Sequence, residues 1–258
     1  MTSTIGPSTA AALLLLPLAG CATAPPEPQG LAPPRRPITE FLRPGETREA
    51  ANPIAIYDPF ERTNRAIYKF NAQFDRYVYL PVVNAYTFVT PAPVRRSVSN
   101  FFNNLEEITT FTNSVLQGKV EKASPTLFRF IINSTVGLFG LFDPASHLNL
   151  PRQDEDFGQT LGYWGLGDGP YLVLPILGPS NLRDATGLGV DLGTDWVLLQ
   201  QLPSDVRDDI FYDLLFWGLW PIDARYQIDF RYHSTGSPFE YDLVRYFITK
   251  SREVKIRN

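Results

Sequence analysis

Apolar side chains recur three and four positions apart through most of the chain beyond residue 57, the spacing of one helical face. Asp58-Pro59-Phe60-Glu61 offers an N-cap carboxylate, a proline at the first helical position and an early acid. Phe60, Ile67, Phe70, Phe74 and Tyr77 then follow at helical spacing. Ser237-Pro238-Phe239-Glu240 repeats the device ahead of Leu243, Tyr246 and Phe247, so a helix is predicted near each end of the folded part. Between them lie Val94, Val98, Phe101 and Leu105, then Ile108, Phe111 and Val115 stopping at Gly118, then Leu127, Phe128, Ile131 and Ile132. Phe157, Leu161 and Trp164 mark another helix, and Ser204 is expected to cap one carrying Val206, Ile210, Leu214 and Trp217. Period-two alternation is scarce: Tyr171 to Ile176 is the best strand candidate, and Pro175 interrupts it. The pattern predicts an all-α fold with no internal repeat beyond the paired helix starts.

Several of these segments lack a polar face, among them "FIINSTVGLFGLF" and "LLFWGLWPI". A helix apolar on all sides belongs to the centre of a large core or to lipid. Uncharged runs such as Phe130 to Phe142 and Gly169 to Leu182 stay below the ~18 residues that span a bilayer. As helix, about 13 residues reach only about 20 Å, which favours entry into part of a bilayer over crossing it.

The first apolar run, Ala10 to Ala19, has the length of a signal-peptide core, and Cys21, the chain's only cysteine, follows it directly. A signal peptide is expected over residues 1–20, although these contain no Lys or Arg. Leu18-Ala19-Gly20-Cys21 resembles the lipobox of bacterial lipoproteins, which implies acylation of the Cys21 thiol and a new N-terminus there. Ala22 in the next position, by resemblance to the lipoprotein sorting rule, favours the outer membrane. Several acyl chains, at about 0.8 kcal/mol per buried CH₂, anchor stably where one would not. Residues 21–57 are rich in proline, including Pro25, Pro26, Pro28, Pro33, Pro34, Pro37, Pro44 and Pro53, without apolar periodicity. They read as a disordered tether spanning roughly 35 Å as flexible coil, leaving 58–258 as the folded domain.

Composition narrows the chemistry. With 258 residues, 44% of them hydrophobic, the chain can bury one large core or two small ones. A net charge of −4 with dispersed basic residues gives no nucleic-acid footprint. One cysteine allows neither an internal disulfide nor a cysteine-based metal site. Gly165, Gly167 and Gly169 imitate a phosphate-gripping loop, but a helix-like segment precedes them and Pro170 follows, so they read as backbone that bends tightly or admits a close neighbour. His147 and His233 stand in unrelated contexts and no G-x-S-x-G elbow is present. Asp154-Glu155-Asp156 reads either as a cation ligand set or, preferably, as the acidic start of a helix. Neither an enzyme nor a cofactor or metal is expected.

In order along the chain, "DPFERTNRAIYKFN", "NFFNNLEEITTFTNSVLQGK", "RFIINSTVGLFGLFDPA" and "DEDFGQTLGYWGLGDGPYLVLPILGPSNLRDATG", with the lipobox ahead of them, resemble the MlaA/VacJ outer-membrane lipoproteins of Gram-negative bacteria. The match runs from about Asp58 to Tyr226. The resemblance implies an all-helical ring in the inner leaflet of the outer membrane, on its periplasmic side, with a central amphipathic channel. It implies a protein that takes phospholipids strayed into the outer leaflet and passes them to a soluble periplasmic carrier, in complex with a trimeric porin and without covalent chemistry. On that reading Gly165, Gly167, Gly169, Pro170, Pro175, Gly178, Arg183 and Asp184 form a structural loop along the lipid path, with close backbone approach at the glycines. Pro175 and Pro179 keep the apolar stretch from continuing as one helix. Arg183 and Asp184, at the start of a short helix after Ser180, read either as a capping ion pair or as a headgroup contact. Tyr163, Trp164, Tyr171, Trp217 and Trp220 read as interfacial or as core residues. Lys250, Arg252, Lys255 and Arg257 form a basic tail that is either solvated or close to anionic lipid.

Two other readings compete. A scaffold lipoprotein would bind porins without moving lipid, and a periplasmic hydrolase would need a serine within reach of His147 or His233.

Overall fold

A computed structural model describes residues 56–258; the expected signal peptide, Cys21 and nearly all of the expected tether lie outside the described residues. The chain is mostly helical. Helix α1 (Glu61–Phe74) runs through a π-helical turn, Asp75–Tyr79, into α2 (Leu80–Val89). Then come α3 (Ala92–Leu116), α4 (Val120–Thr135), α5 (Pro144–His147) and α6 (Phe157–Tyr163). Strands β1 (Tyr171–Leu174) and β2 (Gly178–Asn181) form an antiparallel hairpin, followed by α7 (Leu182–Leu199) and the short α8 (Ser204–Arg207) and α9 (Ile210–Asp213). A second π-helical stretch, Leu214–Leu219, leads into α10 (Trp220–Tyr226), and α11 (Glu240–Arg257) closes the chain.

The periodic segments are therefore helices, with differences at their ends. The two patterns on either side of Leu105 are one continuous helix, α3. Asp58 does not cap α1: its carboxylate accepts bonds from Asn64 (2.8 Å), Tyr241 (2.6 Å) and Arg245 (2.9 Å), tying the chain's entry to the last helix. Ser204 likewise caps nothing, because Pro203 occupies the cap position and the segment breaks into α8, α9 and a π turn. Tyr171 does begin a strand, and Pro175 sits in the turn after it.

The core is unusual in its chemistry. Among the described residues buried apolar side chains are few: Tyr68, Tyr171, Val173 and Tyr241 form a buried cluster, the tyrosine rings meeting edge to face at 5.6 Å (Tyr68–Tyr241) and 6.1 Å (Tyr171–Tyr241). Buried polar and charged residues outnumber the buried apolar ones. Glu107 and Arg129 join α3 to α4 at 2.7 Å, and Arg225 grips Asp75 through two bonds of 2.5 and 2.9 Å, joining α10 to the first π turn. Large apolar side chains meanwhile face outward on nearly every helix, among them Phe88, Phe128, Trp196 and Phe247. This inverts the usual pattern of a water-soluble bundle. No helix among the described residues is long and apolar enough to cross a membrane.

Candidate functional site

The glycine-proline block folds as a loop, a hairpin and the start of α7. Tyr171 pairs with Asn181 and Leu174 with Gly178, leaving Pro175, Ile176 and Leu177 as the turn. Ile176 and Gly178 both adopt left-handed backbone, at φ 68° and 92°. Val173 directs its N–H away from β2, so its partner Pro179 stands where no ladder donor is needed.

A two-stranded sheet leaves an edge with unpaired backbone groups. Two asparagines on α1, two helical turns apart, complete it. Asn64 donates to the Tyr171 carbonyl and accepts from the Val173 amide, both at 2.9 Å. Asn71 does the same with the Leu174 carbonyl (2.9 Å) and the Ile176 amide (2.8 Å). Both asparagines are buried, and each amide imitates the neighbouring strand.

Arg183 and Asp184 belong to an ion network. Arg183 is buried and binds Asp184 at 2.8 Å and Asp168 of the glycine loop. Asn181 caps α7 by accepting from the Asp184 amide (2.8 Å), and that helix runs eighteen residues, not a single short turn. Arg252 reaches back from α11 to Asp184 (2.8 Å) and takes Asp156 with two bonds of 2.5 and 2.7 Å. Asp156 is itself the cap of α6, accepting from the Gln159 amide. Burial opposes its charge, yet Arg252 and the Gln159 donors hold the carboxyl below its ordinary pKa. The capping reading of Arg183–Asp184 and of the acidic triplet is the one observed. Two further residues of the basic tail are paired as well, Lys255 with Asp154 and Lys250 with Glu253.

The glycines divide differently from the expectation. Gly165, Gly169 and Gly178 have left-handed backbone and supply turns. Gly167 has neither a left-handed φ nor any atom within 4 Å of where a side chain would begin. Close backbone approach occurs instead at Gly158 and Gly187, where α6 crosses α7: a methyl group on Gly187 would lie 2.2 Å from the Gly158 nitrogen. Pro170 stands just ahead of β1, and its carbonyl accepts from the Leu182 amide, locking the loop to the head of α7. Of the aromatic residues singled out, Tyr171 is core, Trp220 stacks on Phe102 at 5.7 Å, and Tyr163, Trp164 and Trp217 are exposed.

A polar seam between α3 and α7 has no counterpart in the sequence expectations. Thr109 and Asn113 of α3 and Gln117, which closes that helix, follow one turn apart. Thr109 donates to Asp195 (3.1 Å), Asn113 to Asp191 (3.2 Å), and Gln117 to Glu155 (2.8 Å). Burial pushes the carboxyl groups of Glu106, Asp191 and Asp195 above their ordinary pKa. Glu106 and Asp195 share a small cavity, about 60 Å³, with Leu105, Ile108, Leu198 and Trp220. The sequence signal was present: Asp191 and Asp195, four residues apart, are the acids of an otherwise apolar stretch. Neither histidine ring hydrogen-bonds a serine among the described residues; His233 lies 3.7 Å from Glu240. No cluster of three or more His, Cys, Asp or Glu side chains suited to a metal is found among them.

A family model described as MlaA lipoprotein matches residues 56–255, almost the whole of this structure. The chain belongs to the MlaA lipoprotein family. It is 39% identical over 208 residues to a protein of Rickettsia felis, covering 79% of this chain and 80% of that one. It is 36% identical over 171 residues to the intermembrane phospholipid transport system lipoprotein MlaA of Escherichia coli, covering 65% of this chain and 61% of the other. The Haemophilus influenzae protein of the same name is 34% identical over 171 residues, 65% of this chain and 66% of that protein. A solved chain from work on the structural basis for maintenance of bacterial outer membrane lipid asymmetry superposes with a TM-score of 0.62 at 30% identity, covering 78% of this chain and all (100%) of that one.

Proposed function

We propose that this MlaA-family chain is an outer-membrane lipoprotein that helps to maintain lipid asymmetry by removing phospholipids strayed into the outer leaflet. It sits in the inner leaflet on the periplasmic side, held by acyl chains on Cys21, and hands lipid to a soluble periplasmic carrier beside a trimeric porin. The inverted distribution of side chains carries the reading: polar groups bond one another inside while apolar groups face outward. Lipid permits that arrangement, because hydrocarbon welcomes apolar side chains but forces polar groups to find partners within the protein. The path is amphipathic, as in the small cavity where Glu106 and Asp195 stand beside Leu105, Leu198, Phe216 and Trp220. The helices close around it as a ring. Passage through a channel breaks no covalent bond, so the protein works as a conduit, without catalysis and without a cofactor.

The test is the amount of phospholipid exposed in the outer leaflet of cells lacking the gene, restored by wild type or by Cys21→Ala. A rise on deletion, reversed by wild type and poorly by Cys21→Ala, is expected. No rise, in a strain without a second copy, overturns lipid removal and leaves a porin scaffold.

A further inference from the structure

A second cavity, about 610 Å³, lies away from the hairpin between the first turns of α3 and the segment that joins α4 to α5. Its size is that of a small-molecule site. Arg96 and Asn100 of α3 line it together with Val136, Leu141, Phe142 and His147 from the facing segment, and Asn100 donates to the Leu141 carbonyl (3.4 Å). Asp143 also lines it, but that carboxylate accepts from Arg129 (3.2 Å), Asn133 (3.0 Å) and Ser146 (2.5 Å to the hydroxyl, 3.1 Å to the amide). Its charge is matched within the fold. Arg96 differs: no carboxylate or hydrogen-bond partner reaches its guanidinium among the described residues. An unpaired cation therefore lines a cleft that Val136, Leu141 and Phe142 also line.

The wall continues outward. Val136, Leu138, Phe139 and Leu148 are exposed beside the cleft, Phe139 by 78%. Leu138 and Phe139 are held in left-handed backbone, φ 52° and 59°, by bonds from the Phe139 amide to Ser134 O and from the Gly140 amide to Asn133 O. That conformation is costly for such residues and persists only where the surroundings hold it. The Arg129–Asn133–Asp143 network beneath the loop does so, presenting an apolar ledge next to a cation.

We propose that this cleft docks the phosphate headgroup of a glycerophospholipid, Arg96 taking the phosphate and Val136, Leu141 and Phe142 the first methylenes of the chains. Guanidinium geometry matches two phosphate oxygens at once. Free phosphate shares the anion but has no use for the apolar wall or ledge, so the occupant is the lipid. The inference rests on the lipid-handling reading and adds a site outside the seam.

The experiment titrates dihexanoyl phosphatidylglycerol, below its micelle concentration, into the full chain in non-ionic detergent, with inorganic phosphate as competitor. Arg96→Gln is expected to weaken binding about tenfold, the factor for losing one charge-assisted bond, and Arg96→Lys by less. Val136→Asp, which sets an acid in the wall, is expected to weaken it similarly, and serves as an independent arm should Arg96→Gln not fold. Equal binding by wild type, Arg96→Gln and Val136→Asp overturns the site, as does displacement of the lipid by equimolar phosphate, which would mark a soluble-anion site. The two readings fail separately. Unchanged binding with a clear asymmetry defect on gene deletion sinks this site alone, whereas binding lost in Arg96→Gln with no defect on deletion sinks the transport reading and keeps the site.

Discussion

Arg129 illustrates how single residues stabilise this fold. It donates to Glu107 (2.7 Å), the Leu150 carbonyl (2.6 Å), Ser146 (3.2 Å) and Asp143 (3.2 Å), so one buried guanidinium binds α3 to the loop beyond α4. Removing a partner from a buried pair strands the other charge, at a cost of about 3–5 kcal/mol. Arg129→Met is expected to lose that much in chemical denaturation, and adding Glu107→Leu to recover part of it. The carboxylates divide by sign. Arg252 holds Asp156 below its ordinary pKa, so its contribution is present above about pH 4 and lost as pH falls through the folded value. Burial holds Asp195 above its ordinary pKa, so its contribution is full below about pH 4 and lost as pH rises through the folded value. Melting from pH 4 to 8 should therefore show Asp156→Asn less stable than wild type, most clearly at neutral pH. Asp195→Asn, which keeps an acceptor for Thr109, should be at least as stable there, the difference closing towards pH 4.

At the scale of elements, the crossing of α6 and α7 depends on two glycines that helical periodicity does not reveal. Gly187→Ala would press a methyl group onto the Gly158 backbone, and something must move; a loss of several kcal/mol is expected, on the scale of severe overpacking at about 1–3 kcal/mol or more. Gly167→Ala, in open space, should melt within about 0.5 kcal/mol of wild type. The asparagine clamp gives a local prediction. Asn64→Ala should speed hydrogen exchange at the Val173 amide, which loses its acceptor, while helical amides of α4 stay protected. Unchanged exchange at Val173 would show that the edge does not need the clamp. These cases also mark what the sequence disclosed. The 3.6 period disclosed the helices because each separates apolar from polar positions, whichever of the two faces inward. The caps of α1 and of Ser204 misled because Asp58 and the broken segment answer to distant residues: Tyr241 and Arg245 claim the Asp58 carboxylate from across the chain. The glycine-proline block was recognisable by its composition as backbone that turns. Which glycines bend and which touch depends on a helix crossing that no local pattern encodes.

For the molecule as a whole, the distribution of apolar surface sets the environment in which it is stable. Trp217 is 72% exposed, Trp196 57% and Trp164 56%, whereas Trp220 is half-buried against Phe102 and Phe216. In water such exposure would be unfavourable by roughly 25 cal/mol for each Å² of apolar surface left uncovered. In hydrocarbon it costs nothing, and the internal ion pairs, spared competition from water, hold the helices together. Four tryptophans placed in different surroundings make this testable. With single-tryptophan variants in vesicles of brominated phospholipid, Trp217 and Trp196 should be strongly quenched and Trp220 least. The contrast discriminates between environments, because a protein that keeps its apolar face against another protein would show weak quenching at all four positions. Equal, weak quenching in vesicles lacking a porin would mean that the outward apolar side chains are not lipid-facing. The inverted core would then have to be explained by a protein partner covering most of the surface.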